Sequence, residues 1–339
     1  MIILSIESSC DETAVAVVED ICNIRSNIVL SQIDAHRVYG GVVPEIASRM
    51  HTEAISGITD KAVEDAMVAY NDIDAVAVTY APGLIGSLLC GISFAKGLAF
   101  SLNKPLIPVH HLRAHIASCY INNPKLTPPF LALVISGGHS HIISVKDYCE
   151  YEILGRTRDD AAGEAFDKVA RYMGLPYPGG IEIDRLSKTG DKNAYAFPKV
   201  KFADAPYDFS FSGVKTSVIN LINKFNQKEQ AYSRADIAAS FNKTVADTLV
   251  EKFIAAAFNN GFEKACVCGG VCANSLFRES VKIATDKNNI ELFLPELNLC
   301  GDNAVMVGVQ AFYEYRDSNI SDMFLNGYAN KNIEENFER

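Results

Sequence analysis

The chain has 339 residues, of which 48% are hydrophobic and 21% are charged, and its formal net charge is −10. This length is too great for one ordinary hydrophobic core and predicts two domains of a soluble globular protein. The acidic balance argues against broad, non-specific binding of nucleic acid. The charge is uneven, however: residues 185–230 hold eight Lys/Arg against four Asp/Glu, and this +4 segment is either a solvated face or a binding surface.

The N-terminus and the cysteines favour a cytoplasmic protein without a membrane anchor. No uninterrupted apolar run reaches the roughly 18 residues that cross a bilayer. The first residues, "MIILSIESSCDE", lack a basic leader and include an acidic residue at position 7, so they predict a first β-strand and not a signal peptide. The nine cysteines are odd in number and never spaced C-x-x-C, which predicts reduced, mostly buried thiols.

Along the chain, the same order of elements occurs twice. Residues 2–20, "IILSIESSCDETAVAVVED", predict an apolar strand, a small polar turn and a second apolar strand, and residues 131–147, "LALVISGGHSHIISVKD", repeat this order. Later in each half, an apolar strand is followed by a glycine-containing turn and a helix, at residues 74–92 and 263–281. A long helix with apolar residues at helical spacing is predicted over residues 236–258.

Two such α/β halves predict the two-domain fold of the actin, hexokinase and heat-shock-70 ATPases, with duplicated halves and an interdomain cleft. The short polar turns can direct backbone N–H groups at an anion. No P-loop and no Rossmann glycine pattern occurs in the sequence. We predict an N-terminal subdomain over residues 1–125, completed by a C-terminal helix at about 303–330, and a C-terminal subdomain over residues 126–302. The proline-rich stretch 121–130 is the expected joint.

A pair of histidines indicates a metal site. In "HHLRAH", His111 and His115 are four residues apart, so on a helix both imidazoles face one point. A zinc peptidase would carry a glutamate directly after the first histidine, and Leu112 stands there instead. Imidazole suits zinc or iron, and a carboxylate commonly completes the set. Asp302 is the candidate third ligand, and its alternative role is the N-cap of the helix that follows.

The other polar candidates lie at turns and on helices. At Ser136-Gly137-Gly138, the glycines allow either a close approach of a ligand to the backbone or merely a tight turn. Asp167 and Asp184 could hold the hydroxyls of a ribose, or could simply be exposed on their helices. Asn274 is a ligand-binding residue or a helix cap, and Asp11, with Glu12, is a site residue or part of a turn.

Eight ordered motifs carry a family resemblance over more than 300 residues. The chain resembles the tRNA N6-adenosine threonylcarbamoyltransferase family in its bacterial form. The motifs are "ESSCDETAVAVV", "GGVVPEIASRMHTE", "KGLAFSLNKPLIPVHHLRAHI", "ISGGHSHI", "GEAFDKVARYMGLPYPGG", "DFSFSGVKTSV", "GGVCANSLFR" and "CGDNAVMVG". The resemblance implies an actin-like fold and transfer of threonylcarbamoyl from threonylcarbamoyl-AMP to N6 of adenosine 37, in tRNAs that read codons beginning with A.

The resemblance also implies the site. A single divalent metal, usually iron and alternatively zinc, would be held by His111, His115 and Asp302. The residues at the family's positions for the adenylate are Val134, Ile135, Ser136, Gly137, Gly138, Asp167, Gly180, Asp184 and Asn274. Asp11 is our candidate for accepting the proton of the amine.

The implied partners are tRNA, a shorter and catalytically degenerate paralogue, and a small P-loop ATPase. Arg113-Ala114 departs from the frequent Glu-Gly of the family, which changes the charge beside the metal ligands. The alternative function on the same fold is an actin-like small-molecule kinase or a carbamoyltransferase. Side-chain metal ligands argue against a kinase, because Mg-nucleotide sites are built mostly from phosphates and water.

Overall fold

The structure is a computed structural model, and it describes residues 1–337. The chain divides into two compact units. The first unit comprises Met1–Pro128, Val145–Glu152 and the segment from Pro295 onward, and the second comprises Pro129–Ser144 and Ile153–Leu294. The predicted boundaries at residues 125 and 302 stay predictions.

The described residues form strands and helices in both units. The strands are β1 Ile2–Glu7, β2 Glu12–Glu19, β3 Asn23–Ser31, β4 Ala75–Ala81, β5 Leu106–His110, β6 Phe130–Ile135, β7 Ser140–Asp147, β8 Glu150–Arg156, β9 Lys264–Cys268 and β10 Glu291–Phe293. The helices are α1 Ile33–Arg37, α2 Pro44–Asp65, α3 Ile85–Leu102, α4 His111–Ala117, α5 Ala162–Tyr172, α6 Gly179–Ser187, α7 Ser212–Gln227, α8 Arg234–Asn260, α9 Ser275–Lys287 and α10 Ala304–Arg316.

The two sheets have the same strand order, which confirms the predicted duplication. The first sheet runs β3-β2-β1-β4-β5 and the second runs β8-β7-β6-β9-β10. In the first sheet β1 pairs antiparallel with β2 and parallel with β4, and in the second β6 pairs parallel with β9. Each strand of the first sheet therefore has a counterpart at the same place in the second.

The first unit buries both faces of its sheet. Successive residues of a strand point to opposite faces, and here each face has its own core. Leu4 and Val76 belong to the cluster with residues of α2 and α3, whereas their neighbours Ile3 and Ala75 belong to the cluster with Met306 of α10. Helices on both faces explain why β1 and β4 are continuous apolar runs without polar alternation.

Helix α3 bears on the expectation that the chain has no membrane-spanning segment. By length and composition, its 18 residues are apolar enough to cross a membrane. On the described residues, however, its buried side chains pack into the core of the first unit against β1 and β4; they are Leu88, Ile92, Ala95 and Ala99. A single helix of this kind also occurs in the cores of soluble proteins, so α3 is weak evidence for a membrane span.

Candidate active site

The predicted metal ligands lie together in the first unit. Helix α4 follows β5 without a loop, and the rings of His111 and His115 have centroids 4.6 Å apart at an angle of 78°. The Oδ1 atom of Asp302 lies 3.1 Å from Nε2 of His115 and 3.6 Å from Nε2 of His111. One ligand atom from each residue falls within 4.8 Å of the others, so these three residues could hold a metal ion.

Asp302 is not the N-cap of α10, which was its alternative role in the sequence analysis. The N-cap of α10 is Asn303, whose side-chain oxygen accepts a hydrogen bond of 3.0 Å from the backbone N–H of Met306. The interpretation of Asp302 as that cap is therefore wrong. The carboxylate points at the two imidazoles instead, from a position two residues before the helix begins.

Glu7 orients the first histidine, a role that the sequence analysis missed. This glutamate ends β1 and is fully buried. Its Oε2 accepts hydrogen bonds from Thr79 Oγ1 at 2.7 Å and from Nδ1 of His111 at 3.0 Å, and its Oε1 accepts one of 2.6 Å from the N–H of Ser9. The Nδ1 proton of His111 is thus held by Glu7, which leaves Nε2 directed at Asp302. Metal-binding histidines typically have such a carboxylate behind them.

The charges and the unsatisfied atoms fit a cation. Neither ring nitrogen of His115 makes a hydrogen bond within the described part of the chain, although the side chain is fully buried, and the 3.1 Å between its Nε2 and Asp302 Oδ1 is a close charge contact only. Burial lowers the pKa of His111, but the negative charges of Asp302 and Glu7 outweigh it and raise that pKa to about 9. A buried imidazole whose nitrogens make no hydrogen bond is costly in a folded protein. A metal bound to Nε2 of both histidines would satisfy it and would leave coordination positions open.

Asp11 and Glu12 add to this acidic surrounding. Asp11 lies in the turn between β1 and β2 and is buried, and Glu12 is the first residue of β2. Burial, together with the negative charges of Asp302 and Asp11, raises the pKa of Glu12 to about 10. The charges of Asp11, the candidate proton acceptor, and of Asp302, the candidate third metal ligand, therefore both act on Glu12. Such a cluster of carboxylates is stabilised by a bound cation.

We expect Glu7→Gln to weaken metal binding by about 10- to 100-fold, the usual effect of losing the partner of a metal-binding histidine. The amide keeps the size of the side chain but no longer holds the Nδ1 proton with a charge. The dissociation constant of the metal, measured by competition with a chelator, checks this. Glu19→Gln is the matched control, because Glu19 ends β2 on the surface and pairs with Arg25. Equal affinities of the two variants would refute the role of Glu7.

In the second unit, the predicted glycine turn follows β6. The N–H of Ser136 donates to the carbonyl of His139 at 2.8 Å, and the carbonyl of Ser136 accepts from Gly163 at the start of α5 at 3.2 Å. A side-chain carbon at Gly137 or Gly138 would meet no atom within 4 Å, and both glycines are exposed. The space in front of this turn is open, as close approach of a ligand requires.

The turn sits where two parallel strands end. Val134 and Ile135 are fully buried, so only their backbone groups are available to a ligand. Val134 pairs with Cys268 at the end of β9, and a side-chain carbon at Gly269 would lie 2.4 Å from the carbonyl oxygen of Ile135. The carboxyl ends of neighbouring parallel strands are the usual place for ligands in open α/β sheets.

Asp167 on α5 contacts the start of α6, where the predicted site residue Gly180 lies. Its Oδ1 accepts a hydrogen bond of 2.7 Å from the N–H of Gly179, the first residue of α6. At Gly179 a side-chain carbon would come within 2.5 Å of Ala170, whereas at the neighbouring Gly180 the nearest atom would be 3.9 Å away. The first glycine therefore serves the contact of α5 with α6, and the second leaves open space beside Asp167.

Asp184 and Asn274 form a second connected group in the same unit. Asp184 Oδ1 accepts from both the N–H and the hydroxyl of Ser275, at 3.1 and 2.9 Å. Asn274 caps α9 by accepting from the N–H of Phe277 at 3.0 Å, and its amide donates to Asn242 at 2.9 Å. The helix-cap role that the sequence offered for Asn274 is thus present. Binding of the adenylate by Asn274 stays a prediction.

Fold and site together define a class of protein: an actin-like α/β protein that carries two histidines and an aspartate suited to a metal. Solved structures agree on the fold. The HypF protein of T. kodakarensis has a TM-score of 0.66 at 15% identity over 96% of this chain and 49% of its own. Component A of the (R)-2-hydroxyglutaryl-CoA dehydratase of Acidaminococcus fermentans has a TM-score of 0.54 at 14% identity, over 94% and 99%. At these identities the likeness shows the fold alone.

The family profile described as tRNA N6-adenosine threonylcarbamoyltransferase matches residues 23–309. A protein of Clostridium novyi with that name is 51% identical over 98% of both chains. The chain belongs to the tRNA N6-adenosine threonylcarbamoyltransferase family and is an acyltransferase that modifies tRNA. This membership disfavours the alternatives of a small-molecule kinase and a carbamoyltransferase.

Proposed function

We propose that this chain transfers the threonylcarbamoyl group of threonylcarbamoyl-AMP to N6 of adenosine 37, in tRNAs that read codons beginning with A. The N6–carbonyl bond forms, the bond from that carbonyl carbon to the phosphate oxygen breaks, and AMP leaves. One proton of the amine is released. The observation that carries this proposal is the His111–His115–Asp302 group, with unsatisfied nitrogens on His115, in a member of this family.

A divalent metal, for which we infer Fe²⁺ with Zn²⁺ as the alternative, supplies Lewis acidity toward a phosphate or carbonyl oxygen when it is bound. The ligands suit either ion, because two imidazoles and one carboxylate leave room for a substrate oxygen. His111 is held in place by Glu7, and His115 lies one helical turn further along α4.

We assign binding of the adenylate to the second unit. The backbone of residues 134–138 would line the donor, with the N–H groups of the Gly137-Gly138 turn directed at its anionic part. Asp167 and Asp184 would accept hydrogen bonds from ribose hydroxyls, beside the open space at Gly180. Support comes from the open turn at Gly137 and Gly138 and from the carboxylates in the same unit.

Asp11 is our candidate for the proton acceptor. The attacking amine is a poor nucleophile, since its lone pair is delocalised into the purine, and it must lose a proton as the new bond forms. A carboxylate in the turn after β1 can take that proton. Its support is the electrostatic cluster that Asp11 forms with Glu12 and Asp302.

We place the protein in the cytoplasm, with a degenerate paralogue and a small P-loop ATPase as its partners in turnover. The test of the reaction class omits ATP. Purified protein, partner subunits, threonylcarbamoyl-AMP and unmodified tRNA should release AMP in proportion to tRNA. A kinase would instead require ATP and would be indifferent to tRNA, and that result would refute the proposed function.

We expect Asp167→Ala to raise the KM for threonylcarbamoyl-AMP by about ten- to a hundredfold while the metal content stays the same. Loss of a charge-assisted hydrogen bond costs about 1.5–3 kcal/mol. Asp167→Asn separates this role from the structural one, because an amide oxygen still accepts from the N–H of Gly179. Both variants should bind the donor weakly, and only the alanine variant should also loosen α6. Normal affinity in Asp167→Asn would show that the aspartate only joins the two helices.

A further inference from the structure

A cavity of about 400 Å³ lies between α5 and α7 of the second unit, lined by Lys168, Arg171, Tyr172, Lys215 and Ile219. We call it the α5–α7 cavity. Three of its five lining residues are cationic, in a chain whose net charge is −10. Its volume falls at the small end of the range for ligand pockets, about 300–1,000 Å³. None of the five residues has a role in the proposed metal or adenylate sites.

A single carboxylate fixes two of these cations. Asp160 is largely buried, and its two oxygens lie 2.8 Å from Lys168 Nζ and 2.5 Å from Lys215 Nζ. Burial raises the pKa of Asp160, but the hydrogen bonds from the two lysines outweigh it and hold that pKa below its ordinary value. Both ammonium groups are therefore positioned by a charged partner. Each ammonium group has three donors, so Lys215 retains capacity for a second anion, and Lys168, which also pairs with Glu164, for a third.

Arg171 is the cationic lining residue whose charge no carboxylate neutralises among the described residues. It is exposed, and it makes no ion pair with any residue in the described range 1–337. Lys168 also pairs with Glu164 at 2.8 Å, where that carboxylate is 44% exposed. Among the described residues, the carboxylates paired with these three cations are Asp160 and Glu164, which leaves one positive charge in excess.

The remaining lining is apolar and aromatic. Tyr172 is 40% exposed, and its hydroxyl donates to the side-chain oxygen of Asn223 on α7, which fixes the ring. Ile219 adds an aliphatic surface. Fixed cations beside an exposed aromatic ring are the combination by which proteins hold single-stranded nucleic acid, with phosphate on the cations and a base on the ring.

The position on α5 connects the cavity with the proposed donor site. Asp167 contacts α6, whereas its neighbour Lys168 faces α7, as expected for successive residues about 100° apart on a helix. The cavity also revises the expectation for the +4 segment. Lys199, which belongs to that segment, lies 3.4 Å from Asp247 and 2.5 Å from Glu251 of α8 and is therefore neutralised. Lys215 is the member that lines the cavity.

We propose that the α5–α7 cavity binds one nucleotide of the tRNA outside the reacting adenosine, with its phosphodiester on Lys168, Lys215 and Arg171 and its base or ribose against Tyr172. This rests on the proposed function, in which tRNA is the acceptor. The chain then carries a tRNA contact of its own despite its acidic balance, and that contact lies on the helix that also bears Asp167.

The test is binding of unmodified tRNA to the full-length chain at several salt concentrations. Arg171→Glu should weaken binding by about tenfold at low salt, and the slope of log affinity against log salt should fall by about 1. Tyr172→Ala should weaken binding several-fold with an unchanged slope, because stacking releases no counterions. In the transfer assay, Arg171→Glu should raise the KM for tRNA and leave kcat unchanged.

Lys192→Glu is the matched control, since Lys192 is exposed, unpaired among the described residues and outside the cavity. An equal loss of tRNA affinity in Lys192→Glu and Arg171→Glu would overturn the proposal, because it would show that tRNA is attracted by positive charge spread over the surface and not by this cavity. So would tight binding of inorganic phosphate alone with unchanged tRNA affinity in Arg171→Glu, or a loss confined to binding of the partner subunits. If the wild-type chain neither binds nor modifies tRNA, the proposed function itself fails.

Discussion

His115→Ala should lose its bound metal and at least about a thousandfold in transfer rate, since a Lewis acid contributes several kcal/mol to such a reaction. The protein should stay folded, because neither ring nitrogen of His115 holds a hydrogen bond in the described structure. This makes His115 a cleaner site than His111, whose loss would also leave the buried Glu7 without its partner. The measurements are metal per protein, circular dichroism and formation of the modified adenosine.

His110→Ala is the control for this experiment. Nδ1 of His110 accepts from the N–H of Leu112 at 3.2 Å and so caps α4, and Nε2 lies 3.2 Å from the carbonyl of Lys331. Its loss should cost about 1 kcal/mol of stability, as for other helix caps, with metal and activity retained. Full activity in a metal-free His115→Ala protein would rule out a metal mechanism.

Arg113→Ala should destabilise the first unit by about 3–5 kcal/mol, the usual cost of removing one partner of a buried ion pair. Arg113 and Glu314 are each 3% exposed, and Nη1 of the arginine lies 3.2 Å from the carboxylate. The guanidinium also donates to the carbonyls of Ile333 and Glu335, at 2.7 and 3.0 Å, and so holds the C-terminal segment against α4. Without it, Glu314 remains buried without its cation.

Hydrogen exchange of the strand amides in the first unit measures this loss. Lys61→Ala is the control, because Lys61 and Asp65 form an exposed pair on α2 that should contribute under about 0.5 kcal/mol. The C-terminal segment should also become accessible to protease in Arg113→Ala. A loss of stability in Arg113→Ala as small as in Lys61→Ala would contradict this prediction and would mean that the buried ion pair does not stabilise the first unit.

The parts of the fold that the sequence predicted are those with a local signal. The two strand–turn–strand segments have a period and a turn chemistry that are visible within 20 residues, and their strands, β1-β2 and β6-β7, take the same places in the two sheets. The histidine pair was likewise visible, because one helical turn separates its members. Asp302 was a candidate third ligand in the sequence, but only the structure separates this role from that of the N-cap, which Asn303 takes.

The parts that were missed depend on contacts between distant residues. Glu7 ends a strand like many solvated glutamates, and its contact with His111 spans 104 positions. Arg113 stood out only as a departure from the family pattern, while its partner Glu314 lies 201 positions away. In the charge count along the sequence, Lys199 is an unpaired positive charge, whereas in the structure it pairs with Asp247 and Glu251 of α8. Charge counts along a segment do not reveal such pairing.

The activity itself is tested most directly at the nucleoside level. Wild-type protein loaded with Fe²⁺, its partner subunits, threonylcarbamoyl-AMP and unmodified tRNA are mixed, the tRNA is digested to nucleosides and fragments, and position 37 is analysed by mass. We predict threonylcarbamoyl on N6 of adenosine 37 with the wild-type protein and none with His115→Ala. Unmodified adenosine 37 with the metal-loaded wild type, or full modification with the metal-free variant, would contradict the account.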